Sequence, residues 1–246
     1  MATYCVILAA AGQSQRFHDK HYKKPFAPLA GKAVWLHSAE RFLNRADVKQ
    51  FILVIAAEDR EEFLQKFGAN IAILGVELVD GGPQRADSIQ NALARVRPEI
   101  DFVAVHDAAR PCLADVWIDE VFAAAKATGA AILAHPVTDT LKKSADGKSI
   151  ESTVPRAGLW EAQTPQVFRR ELLIEAYTKR GRANVTDEAQ AVEQLGHAVR
   201  LVQTPRMNLK ITTRDDLRLA EQALKALPKP KLTGPGHPFA DDDLWR

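Results

Sequence analysis

The sequence predicts an α/β fold, a mostly parallel sheet covered by helices. Three observations carry this. Six short apolar runs rich in Val, Ile and Leu recur along the chain without strict alternation, as strands buried on both faces should read. Segments with helical apolar spacing separate them, and strand then helix, repeated, builds a parallel sheet. The 246 residues, 46% hydrophobic and 26% charged, have an ordinary globular composition and can bury a substantial core.

The first strand is YCVILAA (4–10), running into the small-residue turn AAAGQSQR. Helical spacing follows in VWLHSAERFLNR (34–45), a strand in FILVIA (51–56), and a helix in DREEFLQKFG (59–68). The next pair is VELVDG (76–81) and RADSIQNALARV (85–96), where Asp87 or Ser88 is expected to cap the helix. DFVAVHD (101–107) then leads to DVWIDEVFAAAKATG (115–129), and AAILAHPV (130–137) is the fifth strand. Residues 138–168 break the rhythm: they are polar, turn-rich and carry Asp146-Gly147, a hairpin signal, so they read as a β-arm outside the core sheet. DEAQAVEQLG (187–196) is helical, AVRLVQT (198–204) is the sixth strand, and TTRDDLRLAEQALKAL (212–227) opens with a threonine cap and an acidic first turn. Three of these helical segments end in or near glycine, a common helix stop. Residues 1–227 are expected to form one domain, and the Pro-rich, charged stretch 228–246 a flexible tail.

Composition excludes several function classes. Thirty-three basic against 31 acidic residues give a net charge of +2, too even for a nucleic-acid binder held by its overall field. Cys5 and Cys112 lack a CxxC partner, which argues against a metal knuckle or a disulfide scaffold. No apolar run is long enough to span a bilayer or to read as a signal sequence, so a cytoplasmic protein is expected.

Three constellations carry chemistry. In parallel sheets ligands bind at the carboxyl ends of the strands. The small side chains of Ala10, Ala11 and Gly12 let backbone N–H groups approach a phosphate or a base edge. Arg16 and the lysines Lys20, Lys23 and Lys24 add positive charge nearby. Neither GxGxxG nor GxxxxGK[ST] is present, which disfavours a dehydrogenase and a P-loop enzyme. The loop DGGPQRADS brings Gly82 and Ser88 to a helix N-terminus, as an ordinary turn or as a nucleotide contact. VAVHDAARP ends a strand in His106-Asp107, a carboxylate suited to Mg²⁺, or one paired with Arg110 as a structural salt bridge instead. His106 reads as structural. Lys210, on a strand-like LKIT, could reach a phosphate but reads alone as a surface lysine.

Together AAAGQSQR, GGPQRADS, VHDAARPC, PVTDTLK, LWEAQTPQVF, VTDEA and NLKIT, in order over residues 4–227, resemble the 2-C-methyl-D-erythritol 4-phosphate cytidylyltransferase family. The resemblance implies a Rossmann-like nucleotidyltransferase fold and a homodimer with exchanged β-arms. It also implies CTP, a phosphorylated polyol and Mg²⁺ as ligands. By position, Ala10, Ala11, Gly12, Arg16 and Lys24 would hold the triphosphate, Gly82 and Ser88 the cytidine, and Asp107 the metal. Arg110, Thr140, Arg156, Thr164 and Lys210 would form the polyol-phosphate site, with Thr140 and Arg156 reaching from the neighbouring subunit's arm. Two positions depart from the family pattern: Ser14 stands where a second loop glycine is usual, and Lys23-Lys24-Pro25-Phe26 replaces Pro-Lys-Gln. A ribitol 5-phosphate cytidylyltransferase and a catalytically idle nucleotide-binding module are the alternatives.

Overall fold

The computed structural model describes residues 1–12, 23–181 and 184–228, with Lys24 described by its backbone alone. In chain order the elements are β1 (Tyr4–Ala9), β2 (Pro28–Leu29), β3 (Lys32–Ala33), α1 (Val34–Leu43), β4 (Val48–Ile55), α2 (Arg60–Leu74), β5 (Glu77–Asp80) and α3 (Arg85–Leu93). There follow β6 (Phe102–Asp107), α4 (Asp115–Thr128), β7 (Ala130–Pro136), β8 (Leu141–Lys143), β9 (Ser152–Val154) and β10 (Trp160–Arg169). The chain continues through α5 (Arg170–Arg180), α6 (Glu188–Glu193), β11 (Arg200–Gln203) and α7 (Arg214–Ala226).

Among the described residues the main sheet has seven strands in the order β11-β7-β10-β6-β1-β4-β5. All its pairings are parallel except those of β10, which runs antiparallel to both β6 and β7. The chain first winds outward from β1 through β4 to β5. It then crosses to the other side of β1 to lay down β6. The strand order therefore reverses between β1 and β6, where open α/β sheets bind their ligands.

The apolar runs fail to alternate because both sheet faces are covered. Val6 and Leu8 of β1 join one buried cluster with Trp35, Phe42 and Phe63, whereas Cys5 and Ile7 join another with Ile89, Phe168 and Leu173. Trp35 packs edge-on to Phe67 and tilted against Phe63, with centroids 5.6 and 5.5 Å away, which fixes α1 against α2.

Several expectations need correction. Residues 160–168 lie in the central sheet: β10 pairs Gln166 with Val105 and with Ile132, leaving β8 and β9 as the separate hairpin. Their polar side chains Gln163, Thr164 and Gln166 are buried but hydrogen-bonded, which is why they imitate a loop in sequence. Helix α2 continues through Gly68 and ends at Gly75, whose φ of 62° is the left-handed cap. The N-cap of α3 is Gln84, with no side-chain cap: Asp87 turns to Arg180 at 3.2 Å and Ser88 to the preceding turn. LKIT is not a strand, and its tie to the core is Ile211 N–H donating to Ala109 O at 2.8 Å. The Thr213 cap of α7 is present as a capping box with Asp216. No helix among the described residues is long and apolar enough to cross a membrane. The stretch 229–246, with Phe239 and Trp245, lies outside the described residues.

Candidate active site

The site is assembled at the sheet's switch point. Ala9 lies opposite Asp107 in the parallel β1–β6 register, and Ala108 N–H donates to Ala9 O at 3.0 Å. Ala10 N–H is consumed by Val54 O at 2.8 Å, while Ala11 is half-buried and Gly12 exposed at the end of the strand. Arg16 and Lys20 lie outside the described residues, as does the Lys24 side chain. Lys23 is committed elsewhere, its Nζ 2.6 Å from Asp59 Oδ1.

The Gly81-Gly82 turn packs directly on this loop. A Cβ on Gly81 would lie 2.6 Å from Ala11 Cβ, 2.9 Å from Ser88 Oγ and 3.2 Å from Ile55 O. One on Gly82 would lie 2.5 Å from Asp87 Cβ. The glycines are therefore required by close approach of chain to chain. Ser88, buried, accepts from Gly82 N–H at 3.0 Å and donates toward Gln84 O at 3.1 Å. It thus holds the turn from beneath.

Asp107 sits at the centre of a cationic ring. Lys210 Nζ is 2.6 Å from its Oδ2, Arg85 Nη2 is 3.4 Å from its Oδ1, and Arg110 Nε is 3.9 Å from Oδ2. Burial pushes the Asp107 carboxyl upward, but Arg85, Lys210 and Arg110 outweigh it and hold it well below the usual carboxylate range. It is ionised at every physiological pH. Arg110 donates from Nη1 to Asn208 O at 2.7 Å, and burial lowers its own pKa.

Beneath the ring runs a polarised chain. Asp107 N–H donates to Thr164 Oγ1 at 3.0 Å, and Thr164 Oγ1 is 3.0 Å from His106 Nδ1. His106 Nε2 is 3.1 Å from Arg110 O. A carbonyl only accepts, so Nε2 carries the proton and Nδ1 accepts from the Thr164 hydroxyl. His106 is fully buried and its pKa is lowered to about 4, chiefly by that burial. It is a neutral structural histidine, as expected. Thr164, also buried, positions Asp107 from below the site.

Beside Lys210 opens a cavity of about 400 Å³ lined by Arg110, Glu161, Arg206, Asn208 and Lys210 among others. Thr140 and Arg156 do not line it. They belong to the arm, where Arg156 donates to the Thr138 carbonyl of its own chain.

Two charged residues within these sequence motifs also adjoin the ring. Arg85, from GGPQRADS and partly buried, and Glu188, from VTDEA and wholly buried, form an ion pair at 2.6 Å that adjoins Asp107. Their 103-residue separation left no local signal.

Among the described residues no three His, Cys, Asp or Glu side chains come together as a metal cluster. Asp107 offers a single carboxylate whose ionised form the surrounding cations favour. Such a donor suits Mg²⁺, which takes one or two carboxylates and completes its shell with substrate phosphates and water. The residues therefore fit this ion when nucleotide supplies the remaining oxygens.

The model of the 2-C-methyl-D-erythritol 4-phosphate cytidylyltransferase family matches residues 4–226. A protein of that name from Rhodopirellula baltica is 41% identical over 235 residues, covering 91% of this chain and 95% of its own. Another from Endomicrobium trichonymphae is 42% identical over 222 residues, covering 89% and 98%. The crystal structure of the enzyme from Thermus thermophilus superposes with a TM-score of 0.74 at 30% identity, covering 92% of this chain and all of that one. A crystal structure titled 4-diphosphocytidyl-2C-methyl-D-erythritol synthase gives 0.75 at 32% identity, covering 91% and 99%.

Proposed function

The chain belongs to the 2-C-methyl-D-erythritol 4-phosphate cytidylyltransferase family, and on that premise we propose how its residues carry CMP from CTP to 2-C-methyl-D-erythritol 4-phosphate. The observation that supports this most directly is the register that puts Ala9 opposite Asp107, with Lys210 on the Asp107 carboxylate and an open cavity beside it.

In this reading Ala10 sets the strand end, and the turn at Ala11 and Gly12, with Arg16 and Lys24, holds the triphosphate. Gly82, kept in place by Ser88, presents its turn to the cytidine. Arg110 and Lys210 face the polyol phosphate in the adjoining cavity. The substrate phosphate attacks the α-phosphorus in line, forming the new P–O bond as the bond to pyrophosphate breaks. A phosphate oxyanion is already ionised at neutral pH, so no protein group has to remove a proton. Negative charge grows on the transferring phosphorus and the leaving group, and the fixed cations stabilise it. Asp107 would hold Mg²⁺, which when bound neutralises charge on the phosphates. Thr140 and Arg156 complete the polyol site from a second subunit's arm.

Purified protein is expected to release pyrophosphate from CTP only with methylerythritol phosphate and Mg²⁺ both present. Equal turnover with ribitol 5-phosphate would overturn the substrate assignment, and CTP binding without turnover on either would favour an idle module. Lys210→Ala should lower kcat/KM about 10²–10³-fold, the size seen for a lost transition-state donor.

A further inference from the structure

Two carboxylates face one guanidinium. Arg85, the first residue of α3, places Nη1 2.6 Å from Glu188 Oε1 and Nη2 2.9 Å from Glu188 Oε2, a fork-to-fork pair. The same Nη2 reaches Asp107 Oδ1 only at 3.4 Å. Glu188 is wholly buried at the start of α6, and Tyr177 of α5 donates its hydroxyl to Oε1 at 3.0 Å. Glu188 thus has two good donors and a fixed place, and it holds most of the Arg85 fork.

The consequence falls on Asp107. Its Oδ2 is occupied by Lys210 at 2.6 Å. Had Arg85 closed on Oδ1 with the same geometry, both oxygens would be tightly paired and the carboxylate would be a poor ligand for any further cation. We infer that Glu188, seated by Tyr177, diverts Arg85 from Asp107 and so keeps Asp107 Oδ1 open to a divalent cation. Glu188 and Tyr177 are positioning residues, acting through Arg85. The inference rests on the reading of Asp107 as the metal ligand.

Mn²⁺ titrated calorimetrically into the full chain with CTP present and no polyol tests both without turnover. The parent chain should bind Mn²⁺, and Glu188→Gln should raise its Kd on the order of tenfold, because the released guanidinium pairs with Asp107. Tyr177→Phe should raise it by a smaller factor in a protein that keeps its Arg85–Glu188 ion pair. Adding Arg85→Gln to Glu188→Gln should recover the affinity, which a merely structural defect would not. An unchanged Kd in folded Tyr177→Phe and Glu188→Gln would overturn the diversion while leaving Asp107 as ligand, as would a loss that Arg85→Gln does not repair. No Mn²⁺ binding by the parent would sink the metal reading and this inference with it.

Discussion

The Thr164 hydroxyl joins the two halves of the site, accepting from Asp107 N–H and donating to His106 Nδ1. Thr164→Val keeps the shape but strands a buried N–H and a buried ring nitrogen. It should cost about 1–3 kcal/mol in urea denaturation, with Thr164→Ser recovering most of it. A valine variant as stable as the parent would show that the chain of hydrogen bonds contributes nothing. His106 adds a pH signature. Its pKa falls from 6.5 unfolded to about 4 folded, so the unfolded chain binds the proton more readily. Stability is therefore full above about pH 6.5 and falls as the pH drops toward 4, by about 3 kcal/mol from this residue. His106→Gln should flatten the stability profile across that window. Asp107, whose folded pKa is depressed, adds its own loss only below the ordinary carboxylate range. Asp107→Asn should abolish Mg²⁺-dependent pyrophosphate release with the circular dichroism spectrum unchanged, and activity at the parent level would remove Asp107 from the site.

At the scale of elements, the turn at 81–82 shows how tightly two strand ends are pressed together. Gly81→Ala must move Ala11 and the Ser88 hydroxyl, costing about 1–3 kcal/mol as overpacking does. If Ala11 belongs to the triphosphate turn, as proposed, the KM for CTP should rise with the polyol KM little changed; the reverse pattern would detach this turn from the nucleotide. Both strand ends were legible in the sequence. Small residues after an apolar run, and an acidic residue closing another, are local signals of parallel strands that open onto a ligand. Strand β10 was not legible. It enters antiparallel between two parallel strands, and its Gln163 and Gln166 are buried against distant partners, Thr204 with Asn208 and Asp187 with Ala189. Buried amides satisfied over such separations look polar and loop-like until the fold brings their partners in. The same distance hid the Arg85–Glu188 pair, although both motifs that supply it were in view.

For the whole molecule, the arm stands apart from the main sheet. Strands β8 and β9 pair only with each other among the described residues, and an isolated two-stranded hairpin is marginal in water. Leu159, Trp160 and, on β11, Leu201 are each more than a third exposed, with relative exposures of 39%, 38% and 39%. Within one chain Arg156 is used inside the arm, and Lys210 stands at the cavity. If a two-fold pairing brings Arg156 of one chain to the Lys210 cavity of the other, every site needs both chains. Lys210→Ala and Arg156→Ala homodimers should then each be nearly inactive. Mixed and re-equilibrated in equal amounts, they form half mixed dimers, each with one site carrying both defects and one carrying none. Activity should recover to about a quarter of the parent level, as isologous pairing requires. Activity that stays at the level of the separate variants would mean that each chain builds its site from its own residues, and the arm would have to serve something else.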